Sequence, residues 1–149
     1  MKPKEMTLIL IGVYLLAVIL NFEGIFWGDV PRNRIQIMAT ICYAAVSVCY
    51  LFSTRKHRGC ILFSAFGGGG LLLAGGLAVL TRSCWEILSI PAALFVTIFI
   101  TPLYGARAVL QDWDMLYAAM AAMGGAWLAV SLLIFRGNEK DSAKREEMS

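Results

Sequence analysis

"FGGGGLLLAGG", residues 66–76, holds six glycines in eleven positions, and the role of this run decides how the chain folds. A phosphate-binding loop requires lysine after the last glycine of G-x-x-x-x-G, whereas Gly75 is followed by Gly76. The dinucleotide pattern G-x-G-x-x-G fails because Leu72 stands where its last glycine belongs. The surrounding leucines exclude a flexible linker. The run therefore predicts a helix whose small residues let another helix come close.

Composition places the chain in a membrane. It is 59% hydrophobic and 15% charged, whereas soluble domains have about 25% charged residues. We expect an all-α, polytopic transmembrane helical bundle over residues 1–135 and a charged, disordered tail over residues 136–149. The five predicted spans, each close to the roughly 20 residues that cross a bilayer, are 6–22, 35–52, 60–80, 87–103 and 115–135.

The fourth stretch leaves two topologies open. Pro91 and Pro102 delimit a helix of about 11 residues, which covers only ~16 Å at about 1.5 Å per residue. We favour five spans, because residues 87–103 carry no charge and proline is tolerated in membrane helices. The alternative is four spans plus a re-entrant or interfacial segment near Pro91.

Basic residues predict the orientation. The cluster at residues 55–58, together with Lys2 and Lys4, predicts a multi-pass protein of the cell membrane with a cytoplasmic N-terminus, because loops rich in lysine and arginine stay inside. Five spans then place the C-terminus outside. The basic residues of the tail favour the opposite side, so the two signals disagree.

Helical geometry separates small from bulky residues in two of the spans. At 100° per residue, the bulky side chains of the third span form a ridge that we expect to meet lipid, and small residues lie opposite. These small-residue faces are expected to pack against each other, or against copies of themselves in an oligomer. The predicted packing residues are Ser64, Gly67, Gly68 and Gly75 in the third span and Ala118, Ala122, Gly125 and Ala129 in the fifth.

Candidates for chemistry are few, because no ionisable residue is expected in the middle of a span. Asp112 and Asp114 flank Trp113, and two such acids suit a divalent cation or a reaction at a lipid head group. Acids in the first turn of a helix also complement its dipole, and we favour that interpretation. Glu86 matches a capping box with Ser83. No catalytic residue, cofactor or metal is therefore predicted.

These observations predict a small integral membrane protein that acts mainly through helix–helix association. It would be an accessory, assembly or regulatory subunit, or a homo-oligomer, with the lipid bilayer and another membrane protein or second copy as partners. The first alternative is an oligomeric channel or exporter for small solutes. The second is a membrane enzyme acting on lipid, which we favour less. A nucleic-acid partner is not expected, because four adjacent basic residues do not make a binding surface.

Overall fold

Five helices form the part of the chain that the structure, a computed structural model, describes: residues 2–27, 34–81 and 93–147. No β-strand occurs within those ranges, and the predicted all-α fold is confirmed. The helices are α1 (Pro3–Trp27), α2 (Arg34–Ser53), α3 (Arg58–Thr81), α4 (Ala93–Ala108) and α5 (Trp113–Glu147).

Four of these helices, α1, α2, α3 and α5, are long and apolar enough to cross a membrane. Large apolar side chains cover their outer surfaces: Leu8 and Phe66 are each 69% exposed, and Leu133 is 68% exposed. Soluble proteins rarely carry contiguous apolar surface of this kind, whereas lipid solvates it. The chain is a helical membrane protein. Helix α5 continues through Glu147, so the predicted disordered tail is helical as far as that residue.

The helices form two antiparallel pairs with α4 between them. Helices α1 and α2 pack through Met6, Leu10 and Tyr50, where the Thr7 hydroxyl lies 3.3 Å from the Tyr50 hydroxyl. Helices α3 and α5 make the most extensive contact in the bundle, and α2 barely touches α3. Because α4 contacts α1, α2 and α3, it joins the two pairs.

Glycines bring α3 and α5 into backbone contact. A Cβ atom placed on Gly68 would lie 2.8 Å from the backbone nitrogen of Leu128, and one on Gly75 would lie 2.6 Å from the carbonyl oxygen of Tyr117. A Cβ on Gly124 of α5 would overlap the backbone of Leu72. Only glycine fits at these three positions, and the close approach lets dispersion act between the two backbones.

Contacts near the ends of the helices show which of these ends lie together. The side-chain amide of Asn138, near the end of the apolar part of α5, donates to the carbonyl oxygen of Arg55 at 2.5 Å. Nearby, the guanidinium of Arg58 lies 5.9 Å from the ring centre of Phe135. The α2–α3 loop, the start of α1 and residue 136 of α5 therefore share one end of the bundle, which we call the basic end.

The segment between α3 and α5 begins and ends at the same end of the bundle. Because α3 and α5 are antiparallel, α3 ends and α5 begins at the end opposite to the basic end, and the chain between them leaves and returns on that side. The described residues thus have four span-length helices and a shorter α4, which agrees with the alternative of four spans plus a re-entrant or interfacial segment. The five-span arrangement would place the tail opposite the N-terminus, whereas the start of α1 and the end of the apolar part of α5 both lie at the basic end. Pro91 lies outside the described residues.

The α3–α5 contact predicts opposite effects at adjacent glycines. We expect Gly68→Ala to destabilise the protein by about 1–3 kcal/mol, because the added methyl group meets backbone that cannot rotate away. Gly69→Ala adds the same group where nothing lies within 4 Å, and it should be neutral or stabilising by up to about 1 kcal/mol. Thermal unfolding in detergent measures both. Equal melting temperatures for the two variants would contradict the glycine contact.

Candidate functional site

Buried polar side chains gather around α4, at the end of the bundle opposite to the basic end. Asn21 from α1, Thr40 from α2 and Thr101 from α4 are buried there. We call these three side chains, with the backbone of Pro102 and Gly105, the polar hub. Polar groups in a hydrocarbon interior cost free energy unless they are hydrogen-bonded, so the partners of each group are informative.

Pro102 explains why polar groups are needed here. Proline has no N–H, so the carbonyl of Ile98, one turn earlier, loses its helical donor. The Tyr14 hydroxyl of α1 donates to that carbonyl at 2.8 Å. The helix also widens before the proline into a π-helical turn, Val96–Ile100, in which the N–H of Thr101 donates to the carbonyl of Val96. It then tightens into a 3₁₀-helix, Thr101–Ala108.

Thr40 connects α2 to the 3₁₀-helix through two hydrogen bonds. Its hydroxyl donates to the carbonyl oxygen of Pro102 at 3.2 Å and accepts from the N–H of Gly105 at 2.9 Å. The Asn21 amide nitrogen adds longer contacts, 3.5 Å to the Pro102 oxygen and 3.4 Å to the Thr40 hydroxyl. Gly105 makes this approach possible, because a Cβ there would lie 2.6 Å from the carbonyl oxygen of Gln36.

Two oxygen atoms of the hub have no hydrogen-bond partner among the residues that the structure describes. They are Oδ1 of Asn21 and Oγ1 of Thr101, and both side chains are 0% exposed. An unpaired polar atom in the interior costs about 1–3 kcal/mol.

Arg107 is a buried charge in the last turn of α4. Its Nη1 donates to the Tyr104 hydroxyl at 2.7 Å, and its guanidinium carbon lies 3.9 Å from the ring centre of Trp113. The Tyr104 and Trp113 rings are 5.8 Å apart, and Tyr117 continues the stack 5.4 Å from Trp113. A cation over an indole face is a favourable contact, strongest when desolvated. Arg107 thus fastens the end of α4 to the beginning of α5.

Asp112 and Asp114, the acids singled out in the sequence, lie exposed at the start of α5. The N–H of Asp114 donates to Oδ1 of Asp112 at 2.8 Å, so Asp112 occupies the N-cap position. This geometry agrees with the helix-terminus interpretation that the sequence favoured. Within residues 2–27, 34–81 and 93–147, no three potential metal ligands come together. Glu86 lies outside the described residues.

On α3, the predicted packing residues lie in different surroundings. Gly68 and Gly75 meet α5 directly, whereas Gly67 faces open space. Ser64 is buried, and its hydroxyl accepts from the Trp127 indole N–H at 2.9 Å. Ser131 of α5 lies 3.5 Å from the same hydroxyl.

On α5, the face toward α3 differs from the predicted one. The residues against α3 are Ala121, Gly124 and Leu128. The predicted Ala118, Ala122 and Ala129 are exposed, and Gly125 has only an ordinary contact with Leu72. Helix α5 carries small residues on two sides, and Gly124, which is not among the predicted packing residues, lies at the closest approach to α3.

Comparison of the chain with protein-family models, with curated proteins and with solved structures finds no match. Its class therefore rests on its own geometry. It is a membrane protein with four span-length helices, a shorter helix, α4, that contacts both helix pairs, and a buried polar hub around Pro102.

The contact of Arg107 with Trp113 and Tyr104 predicts that replacing this arginine by lysine lowers the stability of the protein. We expect Arg107→Lys to destabilise the protein by about 1–2 kcal/mol, because the compact ammonium cannot both lie flat on Trp113 and reach the Tyr104 hydroxyl. Arg136→Lys, at an exposed position of α5, is the matched control and should unfold like the wild type. Thermal unfolding followed by tryptophan fluorescence reports both. Identical curves would mean that the ring stacking contributes nothing to stability.

Proposed function

We propose that this chain acts through helix–helix association within the membrane, through one face of α5. It would work as a homo-oligomer, or as an accessory, assembly or regulatory subunit of a larger membrane complex. The observation that carries the proposal is the exposure of Ala118, Ala122 and Ala129, small residues that the contact with α3 leaves uncovered.

Helical geometry places these three alanines together. They are spaced by four and seven residues, and at about 100° per residue they lie some 120–160° around α5 from Gly124. On the same side of the α3–α5 pair, Gly69 and Gly76 of α3 have nothing within 4 Å of a Cβ position. Helix α4 covers the other side, where Phe99 occupies the space beside Gly70. Small residues on both helices are thereby left uncovered on this side.

Small residues favour association in lipid for a specific reason. Lipid tails are as apolar as leucine, so helices associate through close packing rather than through the hydrophobic effect. The contact of Gly68, Gly75 and Gly124 is an example within this chain. A second helix against the three alanines would approach in a similar way. The bulky ridge of Leu62, Leu73 and Leu80, which is also exposed, suits lipid.

The other two functions considered from the sequence have less support. A solute pathway needs polar groups along its length. Among the described residues, the buried polar side chains of the hub and those of Ser64 and Ser131 belong to different helix contacts. A lipid-directed enzyme would use Asp112 and Asp114, and the Asp112 carboxylate is engaged by the α5 backbone. Association needs neither a pathway nor a reactive group.

The basic residues that lie together at the basic end favour one orientation of the protein in the membrane. Lys2, Lys4, Arg58 and Arg136 lie exposed toward the basic end, with residues 55–57. Because loops rich in lysine and arginine stay in the cytoplasm, we place this end, and with it both termini, on the cytoplasmic side of the cell membrane.

We call the surface of α5 formed by Ala118, Ala122 and Ala129 the alanine face. Association through this face predicts that larger side chains on it disrupt the complex. We expect Ala122→Leu combined with Ala129→Leu to shift the purified protein in mild detergent to the monomer mass, or to remove co-purifying membrane proteins. Leucine side chains would hold the two backbones apart, at a cost of about 1–3 kcal/mol per site. Mass measurement by light scattering, with identification of bound chains, follows both forms of association.

The matched control is Ala45→Leu, which enlarges an exposed alanine on α2 and should change neither mass nor partners. An unaltered complex in the Ala122/Ala129 double variant would exclude the α5 face. Loss of the complex in the Ala45 variant as well would point to a general defect of folding.

The orientation predicts the location of reporters. A reporter inserted after Lys56 and one fused after Ser149 should both read cytoplasmic, since the α2–α3 loop and the end of the apolar part of α5 lie together. A reporter inserted after Asp112 should read external. An external signal after Ser149, with a cytoplasmic one after Lys56, would require that the fourth stretch crosses the membrane.

A further inference from the structure

Four exposed cations from two distant parts of the chain lie together at the basic end: Arg55, Lys56 and Arg58 around the α2–α3 loop, and Arg136 on α5. We call these four side chains the basic patch. We propose that the basic patch binds the head groups of anionic phospholipids in the adjoining leaflet of the membrane. This binding is independent of the association through the alanine face.

Two contacts bring the arginine of α5 to the α2–α3 loop. The side-chain amide of Asn138, two residues beyond Arg136, donates to the carbonyl oxygen of Arg55 at 2.5 Å. The guanidinium carbon of Arg58 lies 5.9 Å from the ring centre of Phe135, the residue before Arg136. These two contact points on α5 are only ~4.5 Å apart along the helix, at about 1.5 Å per residue. The patch is therefore comparable in size to the Debye length of about 8–10 Å, so its charges act together on a nearby anion.

The protein supplies little negative charge to balance the patch. Within the part of the chain that the structure describes, none of the four cations forms an ion pair. The exposed acids at the basic end are Glu5, whose carboxylate accepts a hydrogen bond from the backbone N–H of Lys2 at 3.1 Å, and Glu139. Residues 140–149 contain three basic and three acidic side chains, which add no net charge. An external anion can therefore balance the patch.

The position of the patch favours a lipid head group over a soluble anion. Phe52, three residues before Arg55, is 56% exposed, and Leu133, three residues before Arg136, is 68% exposed. On both helices the cations thus follow lipid-facing apolar side chains by about one turn, which is where hydrocarbon gives way to phosphate. Basic clusters at this level attract anionic lipids. The guanidinium groups also match the geometry of phosphate oxygens.

Competition between two lipids tests the preference directly. The full chain, purified in mild detergent, is mixed with equal amounts of anionic phosphatidylglycerol and zwitterionic phosphatidylcholine that carry the same acyl chains. Native mass spectrometry then counts the lipids that remain bound. Because both lipids contain a phosphate and differ in net charge, we expect at least about threefold more bound phosphatidylglycerol. Equal amounts of the two bound lipids would overturn the proposal.

Glutamine variants show whether the basic patch carries this preference. Arg55→Gln combined with Arg136→Gln removes one charge from each part of the chain, and the ratio of bound lipids should fall at least about twofold. Both side chains are exposed, and the contact of Arg55 with Asn138 uses the Arg55 backbone, so the variant should melt like the wild type in phosphatidylcholine. If the double variant does not fold, each single variant should lower the ratio by a smaller amount. An unchanged ratio in the folded variants would contradict the site.

Arg34→Gln is the matched control for Arg136→Gln. Arg34 is an exposed arginine at the start of α2, at the opposite end of the bundle, so both single variants change the net charge of the chain equally. The ratio of bound lipids should fall for the Arg136 variant and stay the same for the Arg34 variant. An equal fall in both would mean that the net charge of the chain selects the lipid, and the basic patch would have no part in it.

Inorganic phosphate distinguishes a lipid head group from a free anion. A ligand that binds the folded protein alone raises its melting temperature, so phosphatidylglycerol and inorganic phosphate are compared at the same concentration and ionic strength. Phosphatidylglycerol should raise the melting temperature by about 2–4 °C more than phosphatidylcholine does, and inorganic phosphate should have no such effect. The same gain from inorganic phosphate alone would assign the patch to a soluble anion and overturn the lipid proposal.

Discussion

A backbone carbonyl cannot remain unpaired in hydrocarbon, and the arrangement of this bundle follows from one place where the chain creates that problem. Pro102 removes the donor for the carbonyl of Ile98, and the irregular turns on either side expose further backbone groups. Tyr14, Asn21 and Thr40, from two other helices, contact those groups. The apolar residues of α4, including Ile100 and Leu103, pack against α3 and α5. A broken helix is therefore what holds the two helix pairs together.

Much of the α3 side of the α3–α5 contact could be predicted, because helical geometry alone shows which glycines of α3 share a face. Gly68 and Gly75 are seven residues apart and lie within about 20° of each other, so one partner meets both. Gly69 and Gly76 repeat the same spacing about 100° further round, where the structure leaves open space. Gly70 was not predicted as a contact, because its neighbour Phe99 belongs to α4, whose position depends on tertiary contacts that the sequence does not display.

The rotation of α5 and the path of the fourth stretch could not be predicted for a different reason. A helix that is apolar all round has no polar face to orient it, and α5 carries small residues both around Gly124 and around Ala122. The charge-free run before Pro102 is equally compatible with a crossing and with a re-entrant segment. The sequence did contain features that agree with the observed arrangement. The basic residues of the tail agreed with four spans, and Tyr104, Arg107 and Trp113 are spaced three and six residues apart, within reach of one another.

The same two contacts that fix α4 also decide which surface α5 presents to the membrane. Trp113 lies under Arg107 at the start of α5, and Gly124 meets α3 eleven residues later. Eleven steps of about 100° return to within about 20° of the starting direction, so both contacts hold the same side of the helix. A rotation of α5 that buried Ala122 would break the cation–π contact and drive side chains into the backbone of Leu72. The polar hub, by fixing α4 and with it Arg107, thereby keeps the alanine face of α5 directed outward, although no residue of the hub touches that face.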